Sequence, residues 1–153
     1  MTAPSREIGF SDITSQGMPF YGGNLTYKTE IETDACNLSI RVSRYRGAAV
    51  RVFVDGEDKG LIAFSPYTLK VNNLKKGKHI IEFKVFGNRI NTFGSLHACD
   101  YNKWFGPNKW YTYKEKSQTE QKCKKVYSSK WCYEYTLKPA GVLASPVIMV
   151  EEI

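Results

Sequence analysis

His79-Ile-Ile-Glu-Phe-Lys-Val-Phe-Gly-Asn-Arg-Ile-Asn-Thr-Phe-Gly-Ser-Leu-His97 decides the reading of this chain. Its first half alternates Ile81, Phe83 and Val85 against Glu82 and Lys84, the two-residue period of a half-buried strand. Such a strand needs a second sheet over its apolar face. Its second half breaks the alternation at Gly87 and Gly94 and crowds Asn88, Arg89, Asn91 and Thr92 between them. Hydrogen-bonding side chains at the end of a strand do one of two things. They tie down a loop by satisfying leftover backbone groups, or they present chemistry to a ligand from a rigid scaffold.

The same period recurs on both sides of this stretch. Leu25, Tyr27, Thr29 and Ile31 alternate with Thr26, Lys28 and Glu30; Leu38, Ile40 and Val42 follow with Arg41 and Ser43 outward; then come Val50, Val52 and Val54. Asp55 to Gly60 reads as the turn of a hairpin into Leu61-Ile-Ala-Phe64, and Leu69 and Val71 resume after Ser65-Pro66-Tyr67. Leu74 to Lys78 turns into the strand at His79, Trp131 to Leu137 alternates again, and Val142 to Val150 makes a last strand broken at Pro146. No helical period persists over three turns. Eight or nine short strands with regularly spaced turn signals predict an all-β protein, an antiparallel β-sandwich of jelly-roll type. Residues 1–14 read as a linker or tail, and 15–153 as one sandwich domain carrying a long aromatic and lysine-rich loop at 98–130.

Composition narrows the function classes. Of the net charge of +7, six lysines against Glu115 and Glu120 place +4 between Lys114 and Lys130. A nucleic-acid surface mixes arginines and aromatics along an element, so a solvated loop is the better account and nucleic acid is not expected as a partner. No stretch approaches the length of a membrane span, and Met1 to Ile8 lacks the apolar run of a signal peptide. Cys36, Cys99, Cys123 and Cys132 have no zinc-site spacing. Cys36 and Cys99 read as small buried hydrophobes, while Cys123 and Cys132 would close a short loop in an oxidising compartment. Asp12, Asp34, Asp55 and Asp58 are available for a structural calcium, but their spacing fits no calcium loop, so no metal or cofactor is assigned.

An excess of aromatics, 10 of them tyrosine, suits either a core with polar handles or a surface for stacking on ligands. Trp104, Trp110 and Tyr111 in the long loop, with Asn88, Arg89, Asn91 and His97 at its start, combine flat faces with fixed donors and acceptors as a sugar site requires. Tyr45 and Tyr67, at turns, are secondary stacking candidates. The competing account has Trp104 and Trp110 folding the loop back onto the sandwich. Catalysis is not expected. His79 starts a strand, His97 with Asp100 lacks an activated nucleophile, and the acids scatter over turns and outward positions without an opposed pair.

Several of these stretches carry a resemblance. Gln16 to Tyr27 (Gln-Gly-Met-Pro-Phe-Tyr-Gly-Gly-Asn-Leu-Thr-Tyr) looks like the leading segment of galactose-binding-like β-sandwich domains attached to bacterial glycoside hydrolases. Val50-Arg-Val-Phe-Val-Asp-Gly56 with Gly60 resembles the hairpin shared with the sugar-binding domain of glycoside hydrolase family 2. Leu74 to Phe83 is similar to the recurring L-x-x-G-x-H-x-I-E strand, and Asn88 to Gly94 continues the match. The similarity covers about residues 15 to 97 and 131 to 150, and the insertion at 114–130 departs from it. It implies a non-catalytic accessory domain of a larger glycoside hydrolase. The partners would be carbohydrate and the catalytic domain of the same polypeptide, in whatever compartment the parent enzyme occupies. Some such domains bind sugar, and others only brace the catalytic domain.

Overall fold

A computed structural model describes residues 7–94, 96, 135 and 137–150. The strands are β1 (Leu25–Thr33), β2 (Leu38–Arg41), β3 (Tyr45–Arg46), β4 (Ala49–Val54), β5 (Glu57–Ile62), β6 (Thr68–Val71), β7 (Gly77–Phe86), β8 (Gly141–Val142) and β9 (Val147–Val150). One helical turn, α1, spans Ile90–Phe93. Among the described residues, all strand pairs are antiparallel. One sheet has the order β1-β7-β4-β5, a second β6-β2-β9, and β3 pairs with β8 in a two-stranded ribbon. The chain crosses between the two larger sheets from β1 to β2, β2 to β4, β5 to β6 and β6 to β7, the habit of a jelly-roll sandwich.

The core follows from the alternation. His79, Ile81, Phe83 and Val85 are the buried positions of β7, with Phe83 and Ile81 fully enclosed. They lie between Tyr27 of β1 and Val50, Val52 and Val54 of β4, and the second sheet covers them with Leu38, Ile40 and Val71. Each fully buried side chain of this size contributes roughly 1.5–3 kcal/mol, so the three-residue apolar face of β7 is central to stability.

Three expectations change in detail. The hairpin turn is only Asp55-Gly56, both with positive φ (53° and 82°), and pairing resumes at Glu57. A two-residue turn of that hand matches strand twist, so the strand continues where the sequence alone reads a loop; a bulge at Val52/Phe53 absorbs the register. Cys36 is exposed, not buried, because it lies in the β1–β2 connection and not on a strand face. Residues 8–13 do more than a linker would: Ile13 is fully buried, and Phe10 stacks on Tyr27 (centroids 5.1 Å apart) and meets Phe83 edge-on. Their apolar side chains are too sparse to show a period.

The chain divides into two compact units, Met1–Thr92 with Lys138–Ile153, and Phe93–Leu137. The sandwich is the first. The loop at 98–130 and the alternating Trp131-to-Tyr133 stretch lie outside the described residues.

Candidate functional site

The strand registers gather the connections at two ends of the sandwich. Leu25 opposite Val85, Ala49 opposite Phe86, and Arg41 opposite both Thr68 and Val147 bring five segments to one end: 13–24, 42–48, 63–67, 87–92 and 138–146. Thr33 opposite Gly77 and Leu38 opposite Val71 put 34–37, 55–56 and 72–76 at the other.

At the first end the polar cluster after β7 has defined partners. The Asn88 Oδ1 accepts from the Ile90 N–H at 3.1 Å and starts α1. Asn91 is 3% exposed; its amide donates to the Lys138 carbonyl at 2.7 Å and accepts from the Lys138 N–H at 2.8 Å, imitating a strand pair. The Thr92 hydroxyl donates to the Phe20 carbonyl (3.0 Å), and the Gly87 N–H to Asn24 Oδ1 (3.3 Å). Gly87 is required here, since a Cβ would collide with the Gly23 carbonyl and lie 2.9 Å from that of Gly22. So Gly87, Asn91 and Thr92 knit the 13–24 loop and the returning chain onto the sandwich. Asn88 and Arg89 remain exposed beside them. Trp104, Trp110, Tyr111 and His97 lie outside the described residues.

Tyr45 and Tyr67 come together at the same end. Their rings meet edge-to-face at 6.1 Å, and the Tyr45 hydroxyl reaches the carbonyls of Ile62 (3.4 Å) and Ala63 (3.5 Å). Burial, then the neighbouring Tyr67, raises the Tyr45 phenol above its ordinary pKa, so it stays neutral and a donor. Phe64, which the sequence pattern places in an apolar strand, projects from the adjoining turn with 85% of its surface exposed. That turn is closed by the Tyr67 N–H on the Phe64 carbonyl at 2.7 Å. A run of four apolar residues gives no local sign of where its strand stops.

The opposite end carries the most polarised pair. His79 Nδ1 lies 2.7 Å from Asp55 Oδ2 and Nε2 lies 2.6 Å from the Lys75 carbonyl, so both ring nitrogens face acceptors. The hydrogen bond to Asp55, followed by that to Lys75, raises the imidazole pKa; the same bond, with the Ile80 N–H, lowers that of Asp55. The ring joins the β4–β5 turn to the start of β7, a structural use. Asp12 accepts from Thr14 and Ala140, and Asp58 from Arg51 and Gly60. Among the described residues, His, Cys, Asp and Glu form no group of three that would hold a metal ion. Among them, no helix is long and apolar enough to cross a membrane.

Comparison with solved structures finds the same fold inside a much larger chain. A rhamnosidase from Novosphingobium sp. PP1Y superposes with a TM-score of 0.58 over 91% of this chain and 12% of its own, at 17% identity. What is shared is the fold. A GH2 beta-galacturonidase from Eisenbergiella tayi (25% identity, TM-score 0.39) matches over 52% of this chain and 14% of its own. A beta-D-mannosidase from Dictyoglomus thermophilum (13% identity, TM-score 0.36) matches over 60% and 13%. The last two superpositions are too loose to carry an argument. The chain thus spans about an eighth of the rhamnosidase, at 12%. No family model matches the sequence, and no curated protein does.

Proposed function

We propose that this chain is a non-catalytic, carbohydrate-binding accessory domain of a larger bacterial glycoside hydrolase. The observation that carries the reading is the superposition of 91% of the chain on 12% of a rhamnosidase. The Val50–Gly56, Leu74–Phe83 and Asn88–Gly94 resemblances point the same way. Sugar would bind at the end of the sandwich that holds Asn88 and Arg89, with Trp104, Trp110, Tyr111 and His97 as further candidates from the adjoining sequence. Asn91, its amide already paired twice, serves this site by holding the backbone rather than by touching ligand. A glycan-array screen of the chain, repeated by NMR titration at millimolar sugar, tests the reading. Binding that is lost in Trp104→Ala or Trp110→Ala with an unchanged thermal midpoint supports it; silence in both assays refutes it.

One observation favours a second role, bracing of the catalytic domain. Strand β9, at the edge of its sheet among the described residues, exposes Val147, Met149 and Val150, at 52%, 44% and 58%. An apolar edge of this kind is normally covered. Met149→Lys in the parent enzyme would then lower its thermal midpoint while leaving that of the isolated domain unchanged.

A further inference from the structure

The two ends of the sandwich differ in charge in a way that net charge hides. Among the described residues, the segments 13–24, 42–48, 63–67, 87–92 and 138–146 at the end holding Asn88 contain Arg44, Arg46, Arg89 and Lys138 and no aspartate or glutamate. Arg41 closes β2 at the same end. Asp12, which accepts from Thr14 and the Ala140 N–H, adds one carboxylate beside these cations and leaves them in excess among the described residues. At the opposite end Asp34 and Asp55 offset Lys75 and Lys76. Arg41, Arg44 and Arg46 are exposed and form no ion pair among the described residues.

The aromatic turn lies in the same place. The 41–46 segment runs along the 63–67 turn: the Val42 N–H donates to the Tyr67 carbonyl at 3.0 Å, and Tyr45 packs on Tyr67. Phe64 therefore stands exposed on a turn that is bordered by the segment carrying Arg41, Arg44 and Arg46. Resting on the carbohydrate-binding reading, we propose that this end recognises an acidic polysaccharide, its uronate carboxylates paired with Arg41, Arg44 and Arg46 and a pyranose C–H face laid on Phe64. Guanidinium groups match carboxylates with two parallel hydrogen bonds, and an aromatic ring accepts the apolar face of a sugar at little entropic loss. A chain of uronate residues supplies both features at successive positions, which suits arginines spread along a rim better than a single bound anion does. Phosphate tracking along the sandwich is opposed by Glu30 and Glu32, exposed on β1.

The test compares oligogalacturonate with its fully methyl-esterified form, which keeps the backbone and removes the charge. Titrations of the whole chain use NMR at low and at moderate salt. The acid form is expected to bind at least about tenfold more tightly than the ester, the cost of losing a charge-assisted hydrogen bond. Arg44→Gln/Arg46→Gln is expected to abolish that preference, and Phe64→Ala to weaken both forms, each with an unchanged thermal midpoint. Equal affinity for acid and ester, or a preference that survives the double substitution, overturns the acidic-ligand proposal while leaving carbohydrate binding standing. Binding confined to neutral glycans does the same. Tighter binding of a single-stranded oligonucleotide overturns it in favour of a nucleic-acid surface. Silence toward every glycan removes the proposal together with the reading beneath it.

Discussion

Asn91→Ala separates a structural from a ligand role at the position where sequence reasoning placed a binding residue. The side chain is 3% exposed and makes two hydrogen bonds to one residue, at 2.7 and 2.8 Å. Each such bond is worth about 1 kcal/mol net, and the half-buried Lys138 peptide it abandons regains only part of its hydration, so the loss is about 2–3 kcal/mol. At roughly 2–4 °C per kcal/mol for a chain of this size, the thermal midpoint should fall by about 4–12 °C. Scanning calorimetry reads the midpoint, and hydrogen exchange at the Lys138 amide should accelerate with it. Asn91→Asp is a sharper form of the same test. It keeps an acceptor for the Lys138 N–H but turns a carboxylate oxygen toward the Lys138 carbonyl, so it should rescue little. A midpoint within about 1 °C of the parent in Asn91→Ala, well below the one-bond effect, would refute the reasoning. Loss of glycan affinity in that background would return Asn91 to the ligand site.

Gly87→Ala places a methyl group on the Gly22 and Gly23 carbonyls and should destabilise by about 1–3 kcal/mol, read as a lower urea midpoint with unchanged slope. Tyr27→Phe removes the hydroxyl that accepts from the Val142 N–H at 3.3 Å while keeping the ring against Phe10; about 1 kcal/mol should be lost by denaturant titration. The His79–Asp55 pair makes stability depend on pH at both limits. Because the His79 pKa is raised, its contribution is full below the ordinary histidine value and disappears as pH rises through the raised one. Because that of Asp55 is lowered, its contribution is full above the ordinary carboxylate value and disappears as pH falls through the lowered one. The stability advantage of the parent over His79→Gln should therefore be greatest in weak acid and shrink toward alkaline pH. A constant difference from pH 5 to 9 would show that the imidazolium is not what the site holds.

The sandwich was legible because strand burial is a local property. Ile81, Phe83 and Val85, like Val50, Val52 and Val54, declare their faces within a few residues, and the structure buries all six. The site was less legible because its contacts are long-range. Asn91 finds Lys138 47 residues away, and nothing near either residue marks the pairing. Phe64 is exposed because its strand ends at Ile62, a boundary set by where β4 begins. The clustering of cations at one end could have been counted from the sequence, but only once the connections had been sorted by end.

The Asn91–Lys138 clasp also bears on how this domain tolerates change. It joins residues 47 apart in sequence, so the sandwich itself closes one long stretch of chain. Doubling the length of such a segment adds only about 0.6 kcal/mol of closure entropy. The closure therefore sets little limit on how many residues it spans. Related domains can therefore differ in the number of residues between the clasped pair at little cost to the sandwich.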